Sequence, residues 1–391
     1  MRELRRKSFL KKKKLMKEKR YMNPQRHRKI IISGGGTGGH IFPAISIANA
    51  LKNIDPSTEI LFVGAEGRME MEKVPAAGYK ITGLPVAGLY RSLTLKNIGV
   101  IVKLLKSLRM ARKVIKEFKP DVVVGVGGYA SGPVLRQAGK MKIPTLIQEQ
   151  NSYAGVTNKL LAKKASVICV AYDGMEKYFP AEKIIKTGNP VRQNFDNLKS
   201  LGQEAVNFFG LKPGFPVVLV LGGSIGAGTI NKSLSDNIGM LRDSDCQWLW
   251  QTGKHYYENV NALVSVSFTS NISVHGFINR MDLAYAAADV IVSRAGAGTI
   301  SELCLVGKPV ILIPSPNVAE DHQTKNAMAL SDRDAAVLIP DDQSAKCLVN
   351  EAIRLVSDLK KRAALSENIK KMADRDADIR IAEEVLKLAE K

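Results

Sequence analysis

The chain has 391 residues, 45% hydrophobic and 24% charged, an ordinary globular composition that excludes a disordered or fibrous protein and suggests two domains. Lys and Arg outnumber Asp and Glu 58 to 37, but residues 1–29 alone hold 14 of the cations and 2 acids, a local +12 that leaves +9 for the rest. The chain reads as a mildly basic globule with a strongly basic tail. Cys169, Cys246, Cys304 and Cys347 stand far apart with no C-x-x-C pair, which signals neither a disulfide framework nor a zinc ribbon and fits a reducing compartment.

The tail lacks the apolar stretch of a secretory signal. It has three readings: a nucleic-acid arm, a contact for anionic lipid, or sequence upstream of a start at Met22. No aromatic interleaving supports base stacking, so no nucleic-acid partner is expected. Uncharged stretches such as 213–231 are broken by Gly, Ser, Thr and Asn before they reach the length of a membrane span. The expectation is a protein that is soluble, or held at a membrane surface without crossing it.

From Lys29 onward, β-branched runs at 29–33, 59–64, 121–126, 144–148, 166–170 and 183–188 alternate with helical patterns, which predicts βαβ units and a parallel sheet. The text GNPVRQNFDNLKSL (188–201) is polar and punctuated, and then the alternation restarts at 216–223, 246–250, 272–277, 288–293, 309–314 and 335–340. The predicted divisions are a basic tail over 1–28, expected to be disordered, an N-terminal domain over 29–190, a linker over 191–201, a C-terminal domain over 202–360 and a helical segment over 361–391. In such domains ligands sit at the carboxyl ends of the strands, and two of them facing each other place a shared site in the cleft.

Each half opens on a buried strand that runs into glycines and then a helix: GGGTGGH at 34–40 and GGSIGAG at 222–228. Gly34, Gly36 and Gly39 satisfy the dinucleotide fingerprint taken literally, but Glu66 is a poor match for the acid it requires, lying about 30 residues past Gly36 where about 20 is usual, and the loop carries Thr37 and ends in His40. A second cluster, GVGGYASGP (125–133), suggests a groove of backbone N–H groups suited to phosphate, or simply a tight turn. In the second half the strand ending at Ser293 leads through Gly296 and Gly298 to Thr299 at a helix start, where open N–H groups and the helix dipole favour a diphosphate. Glu302 follows almost one turn later, placed for a ribose diol. Gln323 offers the donor and acceptor that sugar hydroxyls require. DSD (243–245) and DRD (332–334) have the D-x-D form of metal-dependent transferases but fall in polar, turn-like text, so no metal is expected.

Together IISGGGTGGHIFPA (31–44), GVGGYASGP (125–133), QEQNSYAGVTNK (148–159), TGNPVR (187–192), LGGSIGA (221–227), HGFINRM (275–281), SRAGAGTISE (293–302) and DHQTKNA (321–327) closely resemble the MurG family, glycosyltransferase family 28. These are the bacterial enzymes that transfer GlcNAc from UDP-GlcNAc to lipid I. The resemblance runs in order from about Lys29 to the C-terminus, and the tail lies outside it. It implies an α/β GT-B fold, two Rossmann-like doubly wound domains facing across a cleft. It also implies inverting transfer to the 4-hydroxyl of MurNAc in undecaprenyl-pyrophosphoryl-MurNAc-pentapeptide, giving lipid II, with neither metal nor cofactor.

Carried over by motif, Thr37, Gly38 and Gly39 line the donor sugar, Asn151 contacts GlcNAc, and Arg192 and Ser224 meet the nucleotide and its diphosphate. Ile278 reads uracil through its backbone, Ala297, Gly298, Thr299, Ile300, Ser301 and Glu302 hold phosphate and ribose, and Gln323 holds the sugar hydroxyls. For the base that takes the acceptor proton, His40 has a near-neutral reference pKa and is preferred, with Glu149 as its rival.

The implied place of work is the cytoplasmic face of the bacterial membrane, with an anionic membrane surface and cell-wall synthesis or division proteins as partners. The stretch 83–118 suits the membrane contact, since it mixes Leu84, Leu89, Tyr90, Leu93 and Leu95 with Arg91, Lys96, Lys103, Lys106, Arg109, Arg112 and Lys113. Competing readings are a UDP-sugar transferase with another lipid acceptor, a nicotinamide-dependent oxidoreductase, and a silent nucleotide-sugar sensor.

Overall fold

The structure, a computed structural model, describes residues 27–86, 96–191, 195, 197–223, 226–267, 269–318 and 321–390. The expectations for the tail over 1–26, for Leu89, Tyr90, Arg91, Leu93 and Leu95, for the side chain of Lys96, and for Arg192 and Ser224 lie outside the described residues.

The described residues form two compact units. The first comprises the chain up to Glu149, Ala154–Pro190 and Asp376–Lys391; the second comprises Gln150–Tyr153 and Val191–Arg375. In the first, strands β1 (Lys29–Ser33), β2 (Glu59–Ala65), β3 (Lys80–Leu84), β4 (Val122–Gly125), β5 (Thr145–Glu149), β6 (Val167–Val170) and β7 (Ile184–Lys186) alternate with helices. These are α1 (Gly38–Ile54), α2 (Glu70–Ala76), α3 (Lys96–Phe118), α4 (Ser131–Lys140) and α5 (Val156–Leu161). The sheet is parallel in the order β3-β2-β1-β4-β5-β6-β7. Its centre is buried on both faces: Ile30, Ile31 and Ile32 of β1 and Val122, Val123 and Val124 of β4 are fully buried. That is why these strands read as continuous β-branched runs rather than alternating ones.

The second unit repeats the plan. Strands β8 (Val217–Leu221), β9 (Gln247–Gln251), β10 (Ile272–His275), β11 (Val290–Ser293), β12 (Val310–Leu312) and β13 (Val337–Leu338) form a parallel sheet in the order β10-β9-β8-β11-β12-β13. Between and after them come α6 (Gly202–Phe209), α7 (Gly228–Asp236), α8 (Ile238–Arg242), α9 (Tyr257–Val266), α10 (Met281–Ala287), α11 (Ala297–Val306), α12 (His322–Ser331), α13 (Ser344–Ser357) and α14 (Leu359–Lys371).

In each sheet the strand order reverses at the first strand, between β1 and β4 and between β8 and β11. The glycine loops predicted from sequence follow those four strands, at the positions where such sheets bind ligands.

Three features depart from the sequence reading. Strand β3, KITGL, was not among the expected strands; it is a partly exposed edge strand interrupted by Gly83, and a Cβ there would lie 2.7 Å from Glu66 Cγ. Leu84, expected among exposed apolar residues, ends that strand fully buried. The segment 361–391 is divided: its first part lies in α14, while α15 (Ala377–Ala389) packs Ile381, Ala382, Val385 and Leu386 into the first unit's core beside Ile30, Ile32, Val122 and Val124. Arg380 Nη2 fixes it there by donating to the Thr187 carbonyl at 2.6 Å.

Candidate active site

In the first unit, the loop after β1 leads into α1 with Thr37 at the N-cap position in extended conformation. Thr37 and Gly39 are exposed and Gly38 is half-buried, and the Thr37 carbonyl accepts from the N–H groups of His40 and Ile41. The half-buried His40 ring has Nδ1 3.2 Å from Thr37 Oγ1. The second cluster explains itself against this loop. A Cβ on Gly127 (φ +93°) would come within 2.8 Å of the His40 ring, and one on Gly128 (φ +84°) within 2.2 Å of the Gly35 carbonyl oxygen. The two loops therefore pack backbone against backbone, with the imidazole in the space that Gly127 leaves.

The loop after β1 already holds an anion of its own. Glu70, the first residue of α2 and 1% exposed, accepts from the Gly36 N–H through both carboxylate oxygens at 3.1 Å and from the Ala65 N–H at 2.9 Å. A fixed carboxylate on the Gly36 amide disfavours a second anion at that one amide, which counts against the literal dinucleotide fingerprint there. Sequence reasoning missed Glu70. The only signal was an acid at the first turn of a short helix, which is common.

Glu149, at the end of β5, is equally buried, and its Oε2 accepts from the Gly155 N–H and from Asn158 Nδ2, both at 2.9 Å. It ties down the turn that follows β5 and the start of α5. Asn151 lies in that turn, half-buried, within the Gln150–Tyr153 segment that groups with the second unit. There Ser152 Oγ donates to Asn326 Oδ1 at 3.2 Å, and Lys325 Nζ sits 5.1 Å from the centre of the Tyr153 ring.

In the second unit, α11 begins at Ala297 after an extended Gly296, and a Cβ on Gly298 would meet nothing within 4 Å. The first N–H groups of this helix have no partner within it. Ile300 and Ala297 are core residues that offer only backbone, and the Ile300 N–H is bonded to the Gly296 carbonyl. Ser301 Oγ donates to the Ala297 carbonyl at 3.0 Å, so it stiffens the first turn. Thr299 is half-buried at the same turn, and Glu302 stands in the next, where its Oε2 accepts from Tyr285 Oη at 3.3 Å.

The entry to α11 is clasped by α12. Gln323 Oε1 accepts from the N–H groups of Ala295, at 3.3 Å, and Ser315, at 2.9 Å, while the fully buried Asn326 donates from Nδ2 to the Ala295 carbonyl at 3.2 Å. The Gln323 oxygen is thus bonded to backbone, and its amide nitrogen remains as the donor of that side chain. Asn326 was not singled out from sequence, although its spacing of three from Gln323 was there to be read. The Ile278 N–H donates to Gln251 Oε1 at 2.9 Å.

Of the predicted residues, the first unit thus gathers Thr37, Gly38, Gly39 and His40 on one loop, and the second places Ala297–Glu302 beside Gln323. The D-x-D segments lie in surface turns, where Asp243 pairs with Arg242. His275, at the end of β10, is pushed below the ordinary imidazole range by burial; its Nε2 is 2.9 Å from Ser273 Oγ.

Residues 30–170 match the glycosyltransferase family 28 N-terminal domain and residues 217–381 the glycosyltransferase family 28 C-terminal domain. The chain belongs to glycosyltransferase family 28. Within the family it is 59% identical over 366 residues, 94% of this chain and 100% of the relative, to a protein of Parabacteroides distasonis. That relative is named UDP-N-acetylglucosamine--N-acetylmuramyl-(pentapeptide) pyrophosphoryl-undecaprenol N-acetylglucosamine transferase. A protein of the same name from Bacteroides thetaiotaomicron is 57% identical over 94% of this chain and 99% of its own length. Among solved structures, Acinetobacter baumannii MurG superposes with a TM-score of 0.72 at 26% identity, covering 92% of this chain and 99% of that one. The family 28 assignment carries the GT-B plan of two Rossmann-like units.

Proposed function

We propose that the chain transfers GlcNAc from UDP-GlcNAc to the 4-hydroxyl of the MurNAc unit of lipid I, with inversion, to form lipid II. The observation that carries this reading is the 59% identity, over nearly the whole chain, to a transferase so named. The geometry of the second unit supports its donor half. Amides at the start of α11 can neutralise the charge that develops on the departing UDP without a metal. Glu302, oriented by Tyr285, holds the ribose hydroxyls; the Ile278 carbonyl reads uracil; the Gln323 amide and Asn151 hold the sugar. Arg192 and Ser224 are assigned to the nucleotide and its diphosphate from their motifs alone.

In the reaction the acceptor oxygen attacks C1 of GlcNAc, the bond from C1 to the UDP oxygen breaks, and the hydroxyl proton passes to His40. Thr37 Oγ1 orients that imidazole, and Thr37, Gly38 and Gly39 lie along the sugar. Glu149 is assigned to ordering the turn that carries Asn151, because it accepts from Gly155 and Asn158, which lie at and beyond the end of that turn.

The acceptor is a lipid, and α3 offers a surface for it. Ile101, Val102, Leu104 and Leu105 are between 44% and 60% exposed and interleave with Lys103 and Lys106. That pattern fits contact with an anionic bilayer, each cation contributing about 1 kcal/mol. Among the described residues no helix is long and apolar enough to cross a membrane. Residence at the cytoplasmic face of the bacterial membrane, and contact with cell-wall synthesis or division proteins, belong to the same reading.

The test is transfer of labelled GlcNAc from UDP-GlcNAc to a lipid I analogue, with and without EDTA. Transfer insensitive to EDTA is expected, and absence of transfer overturns the reading. For the membrane part, Leu104→Asp with Leu105→Asp should lose sedimentation with anionic vesicles while keeping UDP affinity.

A further inference from the structure

The second unit sends two loops out of adjacent strands: the glycine loop after β8, which runs into α7, and the loop after β11, which runs into α11. Beside each stands a side chain that no assigned donor contact uses. Thr229 is the second residue of α7, and Arg294 directly follows β11, one residue before the clasped Ala295. One carboxylate joins them. Asp341, in the turn that follows β13 and leads into α13, accepts from Arg294 Nη1 through Oδ1 and from Thr229 Oγ1 through Oδ2, the latter at 3.0 Å.

The surroundings hold this clip in place. Arg294 Nη1 also donates to the Ile313 carbonyl at 3.1 Å, which ties the guanidinium to the residue following β12. The Arg294 and Asp341 side chains are 18% and 16% exposed, a partly desolvated setting in which a charge-assisted hydrogen bond keeps its geometry. Two fully buried serines fix the backbone on either side. Ser233 Oγ donates to the Thr229 carbonyl at 2.8 Å and Ser344 Oγ to the Asp341 carbonyl at 2.7 Å, with the two hydroxyl oxygens 3.1 Å apart. The Arg294–Asp341 pair is neutral as a whole, so what it contributes to the loops is spacing rather than charge.

We infer that Asp341 is a positioning residue for donor binding: through Thr229 and Arg294 it sets the spacing of the two loops that hold the diphosphate. The inference rests on the donor reading of this unit, in which the glycine loop and the start of α11 both serve the diphosphate. A group that spans two loops senses their separation, because a hydrogen bond weakens steeply once its length and angle leave the favoured range. The uridine contacts assigned to Ile278 and Glu302 do not involve the glycine loop, so their spacing does not depend on the Thr229 bond.

The test is equilibrium dialysis of labelled UDP against the full chain, with unlabelled uridine as competitor. The parent is expected to prefer UDP to uridine. Thr229→Val deletes the hydroxyl and leaves every charge in place; it should weaken UDP roughly tenfold, the effect of one lost hydrogen bond, and leave uridine within about twofold. Thr229→Ser keeps the hydroxyl and should hold the parent value for both ligands. Thr229→Ala, which cannot overpack the seam, should repeat the valine pattern. If the valine and alanine variants keep the parent preference for UDP over uridine, or weaken both ligands equally as a purely structural bond would, the inference is overturned. A parent that does not prefer UDP to uridine marks failure of the donor reading itself, visible before any variant is made, and takes the inference with it.

Discussion

The two units are built on the same parallel-sheet plan, and each sends glycine-rich loops out of the strands at its reversal point, yet what occupies those loops differs. In the first unit the Gly36 amide is bonded to the buried Glu70 carboxylate, and the neighbouring loop is packed onto it through Gly127 and Gly128. In the second, the entry to α11 is held by the neutral amides of Gln323 and Asn326. A glycine loop filled by an internal anion is a rigid platform for a side chain, here His40. One clasped by neutral groups keeps its positive end for a ligand anion. Under the proposed function, the same sequence signature serves catalysis in one half and diphosphate binding in the other.

The largest effect expected is on the platform. His40→Gln should lower kcat by roughly 10²- to 10⁴-fold, the usual contribution of a general base, with UDP affinity unchanged. Steady-state transfer kinetics beside UDP titration measure both, and a variant that keeps most of its kcat removes His40 from the chemistry. Next is Glu70→Ala, which leaves the Gly36 and Ala65 amides without their acceptor. A loss of about 3 kcal/mol of stability is expected by urea unfolding, together with a fall in kcat, because the loop carrying His40 loses its anchor. If stability and turnover both stay at the parent level, the filled-loop account of the first unit is wrong.

How much of this was legible in the sequence follows the same division. Buried strands announce themselves, because a parallel strand covered on both faces must be a run of Val, Ile and Leu; KITGL at the sheet edge has no such constraint and was missed. The helix 377–389 was legible as a helix but not as part of the first unit, since an amphipathic face does not say which core receives it. Loop positions were legible from glycine. Loop occupancy was not, because the Glu70 contact spans 34 residues and the Gln323 contact to Ala295 spans 28. The backbone partners of the Gln323 oxygen were unreadable for that reason.

Smaller effects sharpen the second half of the comparison. Glu302→Ala removes a charged hydrogen bond to the ribose, which should cost roughly 1.5 to 3 kcal/mol in donor kcat/KM. Parent-like donor kinetics would withdraw that contact. Gln323→Ala should cost about 1 kcal/mol of stability by leaving the Ala295 and Ser315 amides unpaired. It should also narrow discrimination between UDP-GlcNAc and its C4 epimer, because the contact is to the sugar. Gln323→Glu keeps an oxygen for those amides but loses the donating nitrogen, so it should spare stability and still lose discrimination; the pair of variants separates the clasp from the sugar contact.

The assignment of the diphosphate to one loop and not the other is tested most directly by amide hydrogen exchange with and without saturating UDP, a ligand that lacks the sugar and so leaves Thr37–Gly39 out of contact. The account predicts slowed exchange over residues 295–302 and unchanged exchange over residues 34–41. Protection of 34–41 with 295–302 unaffected would contradict it.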